Sequence, residues 1–146
     1  MIIRKAENKD VSSIFQLENS CFVDFWSEKT IKESMENANY HYFVLQENGE
    51  IIGYFSVTCV EKEIELLRIA VFEKHRNKGY GQLMMNKLLE FSKENGADKI
   101  FLEVRASNTP AIKMYSKNGF IEYMRRKNYY QGVEDAVLFL CELRGE

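Results

Sequence analysis

The chain has 146 residues, 45% hydrophobic and 13% aromatic, which is enough apolar material for one compact core but too little length for two ordinary domains, so residues 1–146 are expected to form one domain. Its 20 basic and 22 acidic side chains leave a formal charge of -2, so no overall positive field gathers nucleic acid or an anionic membrane, and phosphate binding has to be local. Met1-Ile2-Ile3-Arg4-Lys5 is charged too early for a secretory leader, and no apolar run approaches the roughly 20 residues that span a bilayer, which predicts a cytoplasmic protein.

In chain order, Ile2 to Lys5 reads as a short strand. Val11, Ile14, Phe15 and Glu18 then recur at helical spacing, predicting a helix through about residue 20. Ser27 before Glu28-Lys29-Thr30 is an N-cap with an acidic first turn, so a second helix opens there and ends by Asn37 to Asn39. Three antiparallel strands follow, Tyr40 to Gln46, Ile51 to Val60 and Ile64 to Val71, the first two joined by the hairpin pair Asn48-Gly49. Gly79 to Asn95 carries Tyr80, Leu83, Met84, Leu88 and Phe91 on one face, and Gly96 stands where a terminating glycine belongs. Ile100 to Val104 is an almost continuous apolar run, expected of a central strand covered on both faces. Pro110, the chain's one proline, fits the first position of a helix running to Asn118-Gly119. Two strands, Phe120 to Lys127 and Asp135 to Cys141, complete the pattern.

The most informative stretch is Arg76-Asn77-Lys78-Gly79-Tyr80-Gly81-Gln82. Glycines just before a helix let the backbone approach a ligand, and the unpaired first N–H groups and the helix dipole favour negative charge there. Met84 stands where a dinucleotide fingerprint needs its third glycine, and no Gly-Lys-Ser/Thr tripeptide occurs, so a different phosphorylated ligand is implied. Cys21, Cys59 and Cys141 are widely spaced in apolar surroundings, and with His41 and His75 they form no ligand cluster, so reduced core thiols and no metal are expected.

Glu103 ends the apolar strand after the glycine-loop helix, where strand ends and helix N-termini border a crevice. It reads either as a base whose proton affinity burial enhances or as a surface glutamate paired with Arg105 or another cation. Tyr115 is a core aromatic or a proton donor to a departing group, since its reference pKa of about 10 matches or exceeds the thiol's, about 8.5. Asn108 is a helix cap or a cofactor ligand, and Trp26 a packing anchor or a pocket wall. Arg125-Arg126-Lys127-Asn128-Tyr129-Tyr130 reads as a solvated strand-to-strand loop rather than an RNA site.

Taken together, the motifs resemble those of the GCN5-related N-acetyltransferases, most closely the RimI-type branch that acetylates the N-terminal alanine of a small-subunit ribosomal protein. The resemblance runs nearly end to end. It is carried by Trp26 to Thr30, Arg68 to Val71, Arg76 to Gln82, Leu102 to Asn108, Ala111-Ile112 with Tyr115, Asn118 to Phe120, Arg125-Arg126 with Tyr129-Tyr130, and Glu134 to Ala136. It implies an α/β fold of mixed α+β type with a mostly antiparallel six- to seven-stranded mixed sheet, about four flanking helices, and acetyl-CoA entering between the fourth and fifth strands. By position, Asn77, Lys78, Gly79, Tyr80, Gly81 and Gln82 would wrap the pyrophosphate, Ile69, Ala70 and Val71 would pair with the pantetheine arm, and Asn108 would hold the cosubstrate further along. Glu103 would be the general base, a backbone N–H near Val71 the oxyanion donor, and Tyr115 the general acid. The implied partner is a protein N-terminus, with Glu134 and Asp135 available to attract a basic peptide, and the chain is expected to be a monomer or weak homodimer that binds no nucleic acid or membrane. A lysine side chain or a small amine is the alternative acceptor, and an acyl-CoA-binding module without catalysis the alternative class. Phe25 and Arg76 depart from the family, which usually has proline and glutamine there.

Overall fold

The computed structural model describes residues 1–143. Strand β1 (Ile2–Lys5) leads through a 3-10 turn at Asn8–Asp10 into helix α1 (Val11–Cys21). Helix α2 (Glu28–Met35) starts at Ser27, whose hydroxyl accepts a hydrogen bond from the Thr30 N–H at 3.1 Å, as its cap sequence predicts. Strands β2 (Tyr40–Glu47) and β3 (Glu50–Val60) form a hairpin across Asn48 and Gly49, both at positive φ, 52° and 79°, the geometry this residue pair favours. Strand β4 (Glu63–Val71), helix α3 (Tyr80–Glu94), strand β5 (Lys99–Arg105), helix α4 (Thr109–Lys117) and the hairpin of β6 (Ile121–Tyr130) and β7 (Glu134–Glu142) complete the described chain.

Within these residues the strands form one seven-stranded sheet in the order β1-β2-β3-β4-β5-β7-β6, in which only the β4–β5 pair is parallel. That is the mixed, mostly antiparallel architecture the sequence implied. Alternation along the strands sorts the apolar side chains to two faces. Val11, Ile14 and Leu17 of α1 and Ile31 of α2 pack with Tyr42, Val44 and Tyr54 on one face. Met84, Met85, Leu88 and Phe91 of α3 and Tyr115 of α4 pack with Phe43, Phe55 and Leu102 on the other.

Two expectations are corrected. Strand β5 is not covered on both faces: Ile100, Leu102 and Val104 are buried while Phe101, Glu103 and Arg105 are only half-buried, because α1 packs over β3 and β4 and α2 over β2 instead. The run from Arg125 to Tyr130 is no loop: β6 starts at Ile121, takes in the strand expected from Phe120 to Lys127 and continues to Tyr130, with Arg126 paired to Ala136. Strand β6 is at the sheet edge, where charged side chains stay solvated without breaking the ladder.

The decisive local feature is where β4 and β5 part. Their pairing covers only Glu63 to Leu66 against Lys99 to Leu102. Across the β3–β4 pair, Val57 faces Leu66 and Ser56 faces Arg68, so Leu67 is an extra residue. Such a bulge bends and twists its strand, and from Leu67 onward β4 has no β5 partner.

The first strand is tied to α1 by Arg4, whose guanidinium donates to both Asp10 carboxylate oxygens at 2.8 and 3.0 Å, while the Glu7 N–H donates to Asp10 at 2.7 Å. Asp10 is buried, and the hydrogen bond from Arg4 holds its carboxyl below the ordinary carboxylate range. A depressed folded-state pKa means stability that is present above the unfolded value and lost as pH falls through the folded one. Asp10→Asn is therefore expected to destabilise by about 1–2 kcal/mol at pH 7. In denaturant titrations the difference from the parent should shrink as pH falls through and below the ordinary carboxylate range.

Candidate active site

The gap between β4 and β5 opens into two adjoining cavities. One, of 510 Å³, lies between the end of β4, the loop 76–79, and helices α3 and α4. The other, of 600 Å³, lies between β4, β5, the α1–α2 loop and the tip of the β6–β7 hairpin. Ile69, Asn108 and Tyr115 line both, so the two meet where the strands diverge.

The first cavity has the makings of an anion site. Gly79 caps α3 in the left-handed region at φ 84°, and Asn77 at φ 63° turns the chain into it, a conformation that glycine and asparagine accept most readily. Gly81 leaves a lane beside Met114, since a Cβ there would stand 3.1 Å from the Met114 sulfur. Arg76, Lys113 and Lys117 bring positive charge to the lining. Both ring nitrogens of His75, which also lines this cavity, are buried without a hydrogen-bond partner. A buried polar group left unpaired is costly, and a ligand with acceptor oxygens would relieve it.

The backbone of β4 adds directional groups. The Phe72 N–H donates to the Ile52 carbonyl, and Tyr54 faces Ala70 in the same register. Ladder hydrogen bonds alternate between the two sides of a strand, so Ala70 is bonded to β3 while Ile69 and Val71 turn their N–H and C=O groups to the gap. The Val71 carbonyl there accepts from Arg76 Nε at 2.9 Å and from the Cys21 thiol at 3.6 Å. An extended, amide-bearing ligand therefore meets a ready strand edge at Ile69 and Val71.

Most of the residues expected at the loop do line this cavity: Asn77, Gly79, Tyr80, Gly81 and Gln82, together with Ile69, Ala70, Val71 and Asn108. Lys78 does not; it is exposed, since the turn at Asn77 and Gly79 points it outward. The Gln82 side chain is committed to a reciprocal amide pair with Asn118, at 2.9 Å each way, that ties α3 to α4. Asn108 caps α4 through its side-chain oxygen, which accepts from the Ala111 N–H at 3.3 Å. Arg76, the departure from the family pattern, is turned back onto β4.

The second cavity holds Glu103 and Tyr115 together. Glu103 projects from β5 just past the last parallel pair, with its nearest cation, Arg126 Nη1, at 3.7 Å across half-exposed surface. Arg105 is occupied elsewhere, paired with Glu134 at 3.3 Å and lying 4.2 Å above the Tyr130 ring. Tyr115 is buried on α4 against Phe120 and Phe139. Burial first, and then the neighbouring Tyr130, push its phenol above the ordinary value, so it keeps its proton across neutral pH. The ring of Tyr115 belongs to the core, and it also lines both cavities.

Glu65 was not singled out from the sequence, where it is one charge in an alternating strand. Two positions before the bulge, it lines the second cavity, and loss of solvent and then the field of Glu103 raise its pKa. A lining with Asp24, Glu65 and Glu103 suits a cationic guest. Glu134 and Asp135 are engaged internally instead: Glu134 accepts from the Ser107 N–H at 2.8 Å and Asp135 from the Asn128 N–H at 3.0 Å. Lys113 and Lys117 were also missed, although their i, i+4 spacing on a helix beside a glycine loop was a readable signal. Of the three cysteines Cys141 is buried, whereas Cys21 is half-buried at the wall of the second cavity with Arg76 Nη2 3.5 Å from its sulfur.

The chain resembles known proteins over nearly its whole length. Over 146 residues the chain is 35% identical to a [ribosomal protein bS18]-alanine N-acetyltransferase of Haemophilus influenzae, covering 97% of this chain and 99% of that one. It is 33% identical to the enzyme of the same name in Escherichia coli K12, with 93% of each covered. The crystal structure of the ribosomal-protein-S18-alanine N-acetyltransferase from Escherichia coli superposes with a TM-score of 0.90 at 31% identity, over 99% of this chain and 96% of that one. Residues 11–120 match the model of the acetyltransferase (GNAT) family, and the chain belongs to that family.

Proposed function

We propose that this protein acetylates the N-terminal α-amine of a protein, with the N-terminal alanine of a small-subunit ribosomal protein as acceptor and acetyl-CoA as donor. The observation that carries the reading is that Glu103 and Tyr115 enter one cavity from β5 and α4 where it joins the glycine-loop cavity. The names of relatives that match nearly end to end support the acceptor.

The residues of the first cavity fit the donor. Backbone N–H groups at Asn77 and from Gly79 to Gln82 would hold a diphosphate at the start of α3, aided by the charges of Arg76, Lys113 and Lys117. Ile69 and Val71 would align the pantetheine arm along β4, and the side-chain amide N–H groups of Asn108 stand at the seam, which Tyr115 also lines. Acetyl-CoA supplies the thioester that the amine attacks.

An N-terminal amine has a reference pKa of about 7.7–8.0, against about 10.4 for lysine, so one carboxylate deprotonates it at lower energetic cost. Glu103 takes that proton, directly or through one water. A β4 N–H beside Val71 donates to the carbonyl oxygen as charge builds there, and Tyr115, still protonated, gives its proton to the departing thiolate. Glu65 adds negative field for an incoming ammonium.

The deciding experiment measures CoA release with peptides bearing N-terminal alanine from small-subunit ribosomal proteins, beside lysine peptides and a polyamine. Turnover of the alanine peptides is expected; turnover of only the others moves the acceptor to a lysine or small amine, and binding of acetyl-CoA without turnover of any indicates an acyl-CoA-binding module. Glu103→Gln is expected to lower kcat by about 100-fold or more, with acetyl-CoA affinity kept. Tyr115→Phe should lower kcat by about tenfold or more, and in the parent kcat/KM should rise through the amine's range with no fall up to about pH 9.5. Gly79→Val forces a branched residue into the left-handed region at a cost of about 1–2 kcal/mol, so acetyl-CoA should bind about tenfold more weakly by calorimetry.

A further inference from the structure

The carboxylate of Glu18, in α1, has no solvent exposure. It accepts from the Tyr54 phenol and, at 2.8 Å, from the Trp26 N–H. Arg68 Nε lies 3.1 Å away, an ion pair without hydrogen-bond alignment. The other end of the same guanidinium donates to the Asp24 carbonyl at 2.9 Å and stands 3.6 Å from the Asp24 carboxylate. Its carbon sits 4.2 Å from the centre of the Phe22 ring and 4.5 Å from that of Trp26. One cation thus touches Phe22, Asp24 and Trp26, alternate residues of the 22–27 connection between α1 and α2. The intervening Val23 and Phe25 are exposed, at 81% and 45%.

That connection is a wall of the second cavity, which Phe22, Val23, Asp24 and Arg68 all line. Arg68 directly follows the bulge residue Leu67, so the group that fixes the loop stands on the strand whose bend opens the gap. Nothing in the loop's own backbone is helix or strand. A flat guanidinium between two rings, anchored by a fully buried carboxylate, replaces that order.

We propose that Arg68, held by Glu18, is a positioning residue that fixes the 22–27 loop as the wall of the acceptor cavity, and so sets affinity for the acceptor while leaving donor binding alone. The inference rests on reading the second cavity as the acceptor site. Neither residue reaches the glycine-loop cavity.

The test compares Arg68→Gln and Arg68→Lys with the parent in four readouts: peptide KM and kcat, acetyl-CoA Kd by calorimetry, amide hydrogen exchange across 22–27, and thermal stability. Arg68→Gln is expected to raise peptide KM about tenfold, with kcat within about threefold and Kd within about twofold. Exchange should quicken in the loop and not in α3. Arg68→Lys keeps the charge beside Glu18 and loses the planar stack, so it is expected to recover thermal stability but not KM. Unchanged KM, a fall confined to kcat, or unaltered loop exchange overturns the proposal, as does full rescue of KM by lysine. If Arg68→Gln fails to fold because Glu18 is stranded, Trp26→Leu removes one ring and keeps the backbone N–H that Glu18 accepts. It should raise KM and loop exchange, and no change in either is equally fatal. Should the parent acetylate no peptide, the acceptor reading fails while loop exchange still decides the role of Arg68.

Discussion

The site exists because a parallel strand pair is cut short. Leu67 is one residue more than β3 can match, and the bend it makes turns β4 away from β5 after Leu66 and Leu102. An unpaired strand edge in a sheet interior exposes backbone groups that need partners. Here Ile69 and Val71 present theirs to a gap where a linear, amide-bearing ligand can take the place of the missing neighbour. Had the parallel ladder continued, it would have filled the space that now joins Glu103 to Tyr115.

The two sides of the gap are built differently. On the α3 side, polarity comes from backbone: a left-handed Gly79, the first turn of α3 and the β4 edge, with Arg76, Lys113 and Lys117 around them. On the α1 side it comes from side chains, with carboxylates at Asp24, Glu65 and Glu103 beside the aromatic pair Tyr129 and Tyr130. In the proposed reading an anion occupies the first and a cation the second, and they react at the seam. Of the cations near the second side, Arg105 is paired with Glu134 and Arg68 chiefly with the buried Glu18, while Arg68 also stands 3.6 Å from Asp24 and Arg126 3.7 Å from Glu103.

Much of this was legible in the residues. The strand and helix order followed from periodicity and punctuation, because Asn48-Gly49, Ser27, Gly96 and Asn118-Gly119 act on the backbone within a few residues of themselves. The glycine loop was readable for the same reason, and with it most of the first cavity. The partly open face of β5 was not, because an apolar run such as Ile100 to Val104 records burial propensity without saying which helix will cover which face. Arg125 to Tyr130 read as a loop, against the strand expected as far as Lys127, since composition does not distinguish a solvated edge strand from a connection.

Local chemistry therefore assigned the elements and pointed to a candidate anion cradle, which depend on neighbours a few positions away along the chain, whereas the resemblance to a family singled out Glu103 and Tyr115. Pairing between distant segments settled the rest. It placed Glu103 and Tyr115 in one cavity, left Lys78 outside, engaged Glu134 and Asp135 internally, and drew Glu18, Arg68 and the 22–27 loop into one cluster. Those outcomes turn on strand register and on where a ladder stops, quantities that a single bulge residue changes and that no residue type announces in advance.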